Sequence, residues 1–201
     1  MGQTGGSGSG SRSIRRFHFR GSTRSNRQEA GVAEAFRGEF NQKVDAKARV
    51  LIPVAFRRVL QDGDPIAKET NRPRVVMVYG DPRRQFVECY TMQEMSALEE
   101  KILLLPAGSP QRRILERNYI TLSATIEVDE DGRVVLPPKV RDKLALSADA
   151  IKATVEAVFA GTLNTFQIWT RDAFDTELAF REAEELEFLE GGVDMLTLLQ
   201  G

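Results

Sequence analysis

Apolar and polar side chains alternate over residues 40–44, the pattern of a half-buried strand. The alternation stops at Asp45-Ala46-Lys47-Ala48, which reads as a turn, and Val50-Leu51-Ile52 reads as a second short strand. Pro53 ends that strand and suits the first turn of a helix over residues 54–60. Apolar runs at 75–79 and 85–90 predict two more strands around the turn-forming Gly80-Asp81-Pro82. Thr91-Met92-Gln93-Glu94 has capping-box spacing and predicts a helix to about Leu105. Ser109-Pro110 pairs an N-cap residue with a proline at the first helical position, which predicts a second helix through Arg117. The two helices are expected to form a hairpin, with Leu98, Ile102 and Leu105 facing Ile114 and Leu115. Further on, Phe174, Leu178, Ala183, Leu186 and Leu189 predict an amphipathic helix with an acidic outer face.

The first strand–turn–strand segment occurs twice. Val44-Asp45-Ala46-Lys47-Ala48-Arg49-Val50-Leu51-Ile52-Pro53 returns as Val128-Asp129-Glu130-Asp131-Gly132-Arg133-Val134-Val135-Leu136-Pro137. Asp45 and Asp129, Arg49 and Arg133, Pro53 and Pro137, and Arg57 and Arg141 are all separated by 84 positions. The likeness continues from 75–79 to 154–159, and from 86–90 to 165–169, where Tyr90 aligns with Trp169. Each copy is too small to bury its apolar face alone, so the two are expected to share a core. In each turn the Asp is expected to accept hydrogen bonds from amides downstream, and Gly132 stands where a positive φ is needed. The arginine that follows is then presented at the strand start. The plain alternative is a surface arginine paired with the Asp of its own turn.

Composition narrows the function classes. The chain has 201 residues, 41% hydrophobic and 28% charged, with no apolar run near the roughly 20 residues that span a bilayer. A membrane role is not expected. The single cysteine, Cys89, makes no internal disulfide and points to a reducing compartment, where a buried inert thiol is the plain reading. The single histidine, His18, lies far from any nucleophile, and one Cys with one His make no metal cluster. No catalytic residue, cofactor or metal is therefore expected. The net charge of −1 conceals two poles. Between Arg12 and Arg27 the ionisable residues are all Arg apart from His18, while residues 172–190 are mostly acidic.

At this point the chain resembles the MraZ family. Phe36-Arg37-Gly38 is similar to the family's opening segment, and the two D-x-x-x-R-apolar-P elements are similar to its paired motifs. Ala48 departs from the pattern by standing where the family has glycine. The resemblance implies a β-rich α+β fold, a double-split, swapped-hairpin AbrB-like barrel built from both copies with the helix pair between them. The boundaries expected are a disordered basic leader at 1–34, a first SpoVT/AbrB-like unit at 35–91 and the helix pair at 92–119. A second unit at 120–170 and an acidic helix and tail at 171–201 follow. It also implies a ring-forming homo-oligomer. This oligomer binds repeated operators in double-stranded DNA upstream of its own gene and regulates the division and cell-wall cluster, in the cytoplasm and on the nucleoid.

For DNA contact, Lys47 and Arg49 are expected at bases or the groove floor, since arginine suits the paired acceptors of guanine. Arg37, Arg57 and Arg58 are expected at phosphates, which supply affinity and salt dependence. Arg133 has two readings, a second DNA contact or a stabiliser of its own turn. Family members begin near Phe36, so residues 1–31 are read as an upstream extension and Val32 as a GTG-encoded start. An antitoxin-like interaction module built on an AbrB-type barrel is the competing function. Its usual single motif and long tail match this chain less well.

Overall fold

The computed structural model describes residues 34–152, 155–189, 192 and 194–200. The basic leader with Arg12 to Arg27, His18 and Val32 lies outside the described residues, as does Thr154. The order of elements is β1 (Glu39–Val44), β2 (Arg49–Leu51), α1 (Val54–Asp62), α2 (Ala67–Thr70), β3 (Arg74–Val78), β4 (Val87–Tyr90), α3 (Met92–Leu103) and α4 (Pro110–Leu115). A π-helical stretch, Glu116–Thr121, extends α4 and leads to β5 (Ser123–Glu127) and β6 (Arg133–Val135). Then come α5 (Pro138–Lys143), α6 (Ala148–Lys152), β7 (Val155–Gly161), β8 (Thr165–Thr170) and α7 (Arg171–Phe188), with a 3-10 turn at Met195–Gln200.

The two copies are interleaved. Six strands form one antiparallel sheet in the order β1-β7-β8-β4-β3-β5, and β2 pairs with β6 as a separate two-stranded ribbon. Thus β1 of the first copy pairs with β7 of the second, and β5 of the second with β3 of the first. Val50 lies opposite Val134, its own repeat equivalent, and Glu88 lies opposite Gln167 in the same way. A pseudo-twofold axis therefore runs through the ribbon and the sheet centre. The registers also correct one detail of the repeat. Glu39 pairs with Ala160 and Ser123 with Val78, so Val75-Val76-Met77 corresponds to Ala157-Val158-Phe159 rather than to the start of 154–159. The mixed α+β class is as expected, but the described strands, all antiparallel, form two sheets and not one closed barrel.

The main core lies between the six-stranded sheet and the ribbon. Val75, Met77, Val87, Cys89, Phe159, Phe166 and Ile168 of the sheet meet Val50, Ile52, Val134 and Leu136 from the ribbon side. Phe56 of α1 closes it, with its ring 5.3 Å from Phe36 and 5.0 Å from Phe166. Phe36 of the Phe36-Arg37-Gly38 segment is thus a core anchor, while Arg37 beside it is exposed. Cys89 is buried, and burial pushes its thiol well above the usual range, which leaves it unreactive. Trp169 belongs to the opposite face, packed on Phe86 and Phe174.

Both predicted N-caps form: the Thr91 hydroxyl accepts from the Glu94 amide at 3.0 Å, and Ser109 from Arg112 at 3.2 Å. The helix hairpin itself differs from expectation. Ile102 is buried, but Ile114 is 60% exposed, and α4 is tied back to the end of α3 through polar groups. Arg112 donates to the carbonyls of Leu103 and Leu105 instead. Similarly, α7 buries no residue; its first turn rests Phe174 on Trp169, and Leu178, Phe180, Leu186 and Phe188 face solvent.

Among the described residues one charged group is fully buried. Asp64 is 0% exposed, and its carboxylate accepts from Ile66 N (3.1 Å), Arg74 N (3.0 Å), Arg74 Nε (2.8 Å) and Arg74 Nη2 (2.6 Å). The Arg74 side chain holds the Asp64 carboxyl below its ordinary range. A carboxyl lowered in the folded state gives stability that is present above its unfolded value of about 3.9 and lost as pH falls through the lower folded value. Asp45 shifts the same way, chiefly through the Arg49 amide, and Asp81 through the Arg83 side chain. The urea midpoint is expected to fall progressively below about pH 4. An Asp64→Asn variant should show a shallower fall in the same titration, and an identical one would exclude Asp64 as a source.

Candidate nucleic-acid interface

Two equivalent turns open the ribbon. In the first, Asp45 Oδ1 accepts from the amides of Lys47 (2.8 Å) and Arg49 (2.9 Å), and the Ala48 amide donates to Asp45 O at 2.8 Å. In the second, Asp129 Oδ1 accepts from Arg133 N at 2.7 Å, and the Gly132 amide donates to Asp129 O at 2.9 Å. Side-chain and backbone oxygens of Asp45 and Asp129 thus close both turns. Both turns need a left-handed residue, with φ 58° at Ala48 and 79° at Gly132. The strand end of one copy bonds the turn of the other: Ile52 N donates to Gly132 O and Leu136 N to Ala48 O, both at 2.9 Å.

Strand alternation then sorts the side chains. Val50 and Val134 point into the core, so Arg49, Leu51, Arg133 and Val135 share the outer face, where Val135 is 54% exposed. Arg49 pairs with Val135 and Leu51 with Arg133, which puts the two arginines on a diagonal about 7–8 Å apart. Arg49 Nε donates to Asp45 Oδ2 at 2.7 Å, with the arginine side chain 35% exposed. The local Asp–Arg pair therefore does form, but it uses Nε; Nη1 and Nη2 make no hydrogen bond among the described residues. Asp45 thus fixes the arginine stem and leaves its outer edge for a planar pair of acceptors. Arg133 makes no such side-chain bond among the described residues.

The charges around the turns differ. The first carries exposed Lys47 where the second carries Asp131, and Ala46 where the second carries Glu130. Glu130 and Glu127 are held by Arg72. The Lys47–Arg49 end is therefore the more positive end of the ribbon. Arg58 stands exposed on α1. Arg57 is half-buried instead, with its guanidinium against the second turn at Gly132. Arg37 is exposed at the other end of β1, whose six residues span roughly 17–20 Å, so it is not brought together with Lys47 and Arg49. Periodicity did not reveal Arg57's place, because Gly132 is 75 positions away.

The two left-handed positions give unequal expectations. Gly132→Ala introduces strain of about 1–2 kcal/mol, offset in part by about 0.4–1 kcal/mol of unfolded-state freedom removed, and adds a Cβ that meets Arg57, so the collision makes it a net loss. Ala48→Gly relieves similar strain but gains unfolded-state freedom of about 0.4–1 kcal/mol and loses a buried methyl of about 0.8 kcal/mol. These terms nearly cancel, which explains why alanine is tolerated there. Urea unfolding should find Ala48→Gly within about 1 kcal/mol of the unaltered chain and Gly132→Ala clearly below it.

Comparison with known proteins gives a consistent family. Residues 122–190 match the family model for MraZ protein, described as antitoxin-like. Over 169 residues the chain is 58% identical to the protein named Transcriptional regulator MraZ of Cereibacter sphaeroides, covering 84% of this chain and 98% of that one. The protein of the same name from Ruegeria pomeroyi is 44% identical over 170 residues, 85% of this chain and 98% of its own length. That of Natranaerobius thermophilus is 31% identical over 140 residues, covering 70% and 84%.

Proposed function

Since this chain belongs to the MraZ family, whose named role is regulatory rather than enzymatic, we propose that it is a transcriptional regulator that reads double-stranded DNA with the outer face of its β2–β6 ribbon. The observation that carries this is the pair of outward arginines on a two-stranded ribbon, since a ribbon of that width fits the major groove. Arg49 addresses a guanine edge through its uncommitted Nη groups, and Lys47 lies beside it at the groove floor. Arg133 faces the same way from the acidic turn and adds a weaker contact. Arg58 supplies a phosphate contact next to the ribbon, and Arg37 a more distant one.

Strand interleaving across the copies supports the double-split, swapped-hairpin arrangement, with ribbon and six-stranded sheet as its two halves. A homo-oligomeric ring would present several such ribbons, so weak contacts add up on DNA with spaced repeats. The DNA so read is the repeated operator upstream of the chain's own gene and the division and cell-wall cluster, which places the protein in the cytoplasm and on the nucleoid. No helix among the described residues is long and apolar enough to cross a membrane. A reporter fused to the upstream region tests regulation: its output should change when the chain is supplied and return with Arg49→Ala. Output indifferent to the chain contradicts the proposal.

A further inference from the structure

Arg57 and Arg141 occupy one place in the two copies. Each lies on the helix after the ribbon strand, and each backbone amide donates to the carbonyl of the preceding proline, Pro53 or Pro137, at 2.9 Å. Each is half-buried, and each has its Nε buried with no hydrogen-bond partner among the described residues. A buried donor without an acceptor is unfavourable, and here the arrangement occurs twice at equivalent positions.

We propose that Arg57 and Arg141 are positioning residues, each supporting the DNA-facing turn of the other copy. For Arg57 the contact is direct. A Cβ built on Gly132 would stand 2.6 Å from Cζ and 2.9 Å from Nε of Arg57, with Nη1 nearer still, so the guanidinium lies flat against the turn. The neighbouring bond from Ile52 N to Gly132 O fixes the start of α1 to the same peptide. The pseudo-twofold axis places the start of α5 beside the turn at 45–49, where Leu136 N bonds Ala48 O, but the buried Cβ of Ala48 keeps Arg141 from lying as close to that turn as Arg57 does to Gly132. A planar guanidinium packs on a peptide face as an ammonium does not, so lysine is a poor substitute. By its equivalent place and its likewise unpartnered buried Nε, Arg141 is assigned the same supporting role for the turn from which Arg49 projects, although the two belong to different copies.

The inference rests on the reading of the turns as DNA-facing, and its test separates the two. Binding of Arg141→Lys and Arg141→Gln to the upstream DNA and to a scrambled control is measured across a salt series. As a positioning residue, Arg141→Lys lowers the ratio of the two affinities roughly tenfold, within the range of one base contact, while the salt slope stays unchanged. If Arg141 is a phosphate contact, Arg141→Lys keeps the ratio and Arg141→Gln weakens both DNAs equally, with a slope shallower by about 0.9; that result overturns the inference. A cycle of Gly132→Ala with Arg57→Ala needs no DNA. Gly132→Ala should lower the melting temperature less when Arg57 is already alanine, and strictly additive losses would exclude the contact. If the unaltered chain binds both DNAs alike, the DNA-facing reading fails and takes the positioning role with it, whatever the cycle gives.

Discussion

Arg49→Ala is expected to bring the affinity for the upstream DNA down to that for scrambled DNA, with the fold unchanged. One paired-acceptor contact is worth about 1–3 kcal/mol, a factor of roughly 5–150 at a single site. Several ribbons engaged on one DNA multiply that factor, so loss at every copy removes discrimination altogether. The fold should survive because Arg49 and Asp45 are both partly exposed, and such pairs contribute little to stability. The turn keeps its backbone closure, since the Ala48 amide still donates to Asp45 O and Asp45 Oδ1 still accepts from the Lys47 amide. Circular dichroism and a urea midpoint close to those of the unaltered chain would confirm that only DNA reading is lost. Retained discrimination at the same salt concentration would exclude Arg49 as the reading residue.

Asp64→Ala should have the reverse profile, a large loss of stability from a residue outside the ribbon strands. Removing one member of a buried ion pair typically costs about 3–5 kcal/mol, because the partner is left without its counter-charge. Arg74 retains 29% exposure of its side chain and can recover some hydration, so about 3 kcal/mol is the better expectation. The amides of Ile66 and Arg74 lose their acceptor as well. Against a domain stability of about 5–15 kcal/mol this is a large fraction, and a urea midpoint shift measures it. A loss below about 1 kcal/mol would mean that water or another side chain replaces the carboxylate.

These two residues differ in how far the sequence reveals them. Arg49 stands in a duplicated segment, and a constant 84-residue separation identifies its turn, the Asp that closes it and the need for a left-handed residue at Ala48 and Gly132. All of those features are local, set by hydrogen bonds spanning four residues or fewer. Asp64 is followed by Pro65 in what reads as an ordinary turn, and nothing in the pattern links it to Arg74. Its burial depends on how α1, α2 and β3 meet.

Strand existence was legible in the same local way, but partners were not. Alternation marks residues 40–44 as a strand and says nothing of β7, more than a hundred positions away. For this reason the exchange of strands between copies, the corrected register in the second half of the repeat and the contact of Arg57 with Gly132 emerge only in three dimensions. The exposed Ile114 has a related cause: its spacing fits a helix pair, but spacing does not show that Arg112, through the carbonyls of Leu103 and Leu105, makes the tie to α3.

The most direct test of the account is binding of the purified full chain to its own upstream DNA and to a scrambled fragment of equal length, across a salt series. The predicted result is tighter binding to the upstream DNA at every salt concentration, with both affinities falling as salt rises and the preference persisting, because base contacts do not release counterions as phosphate contacts do. Equal affinities that fall together would contradict it, and would reduce the ribbon to a basic surface without sequence choice.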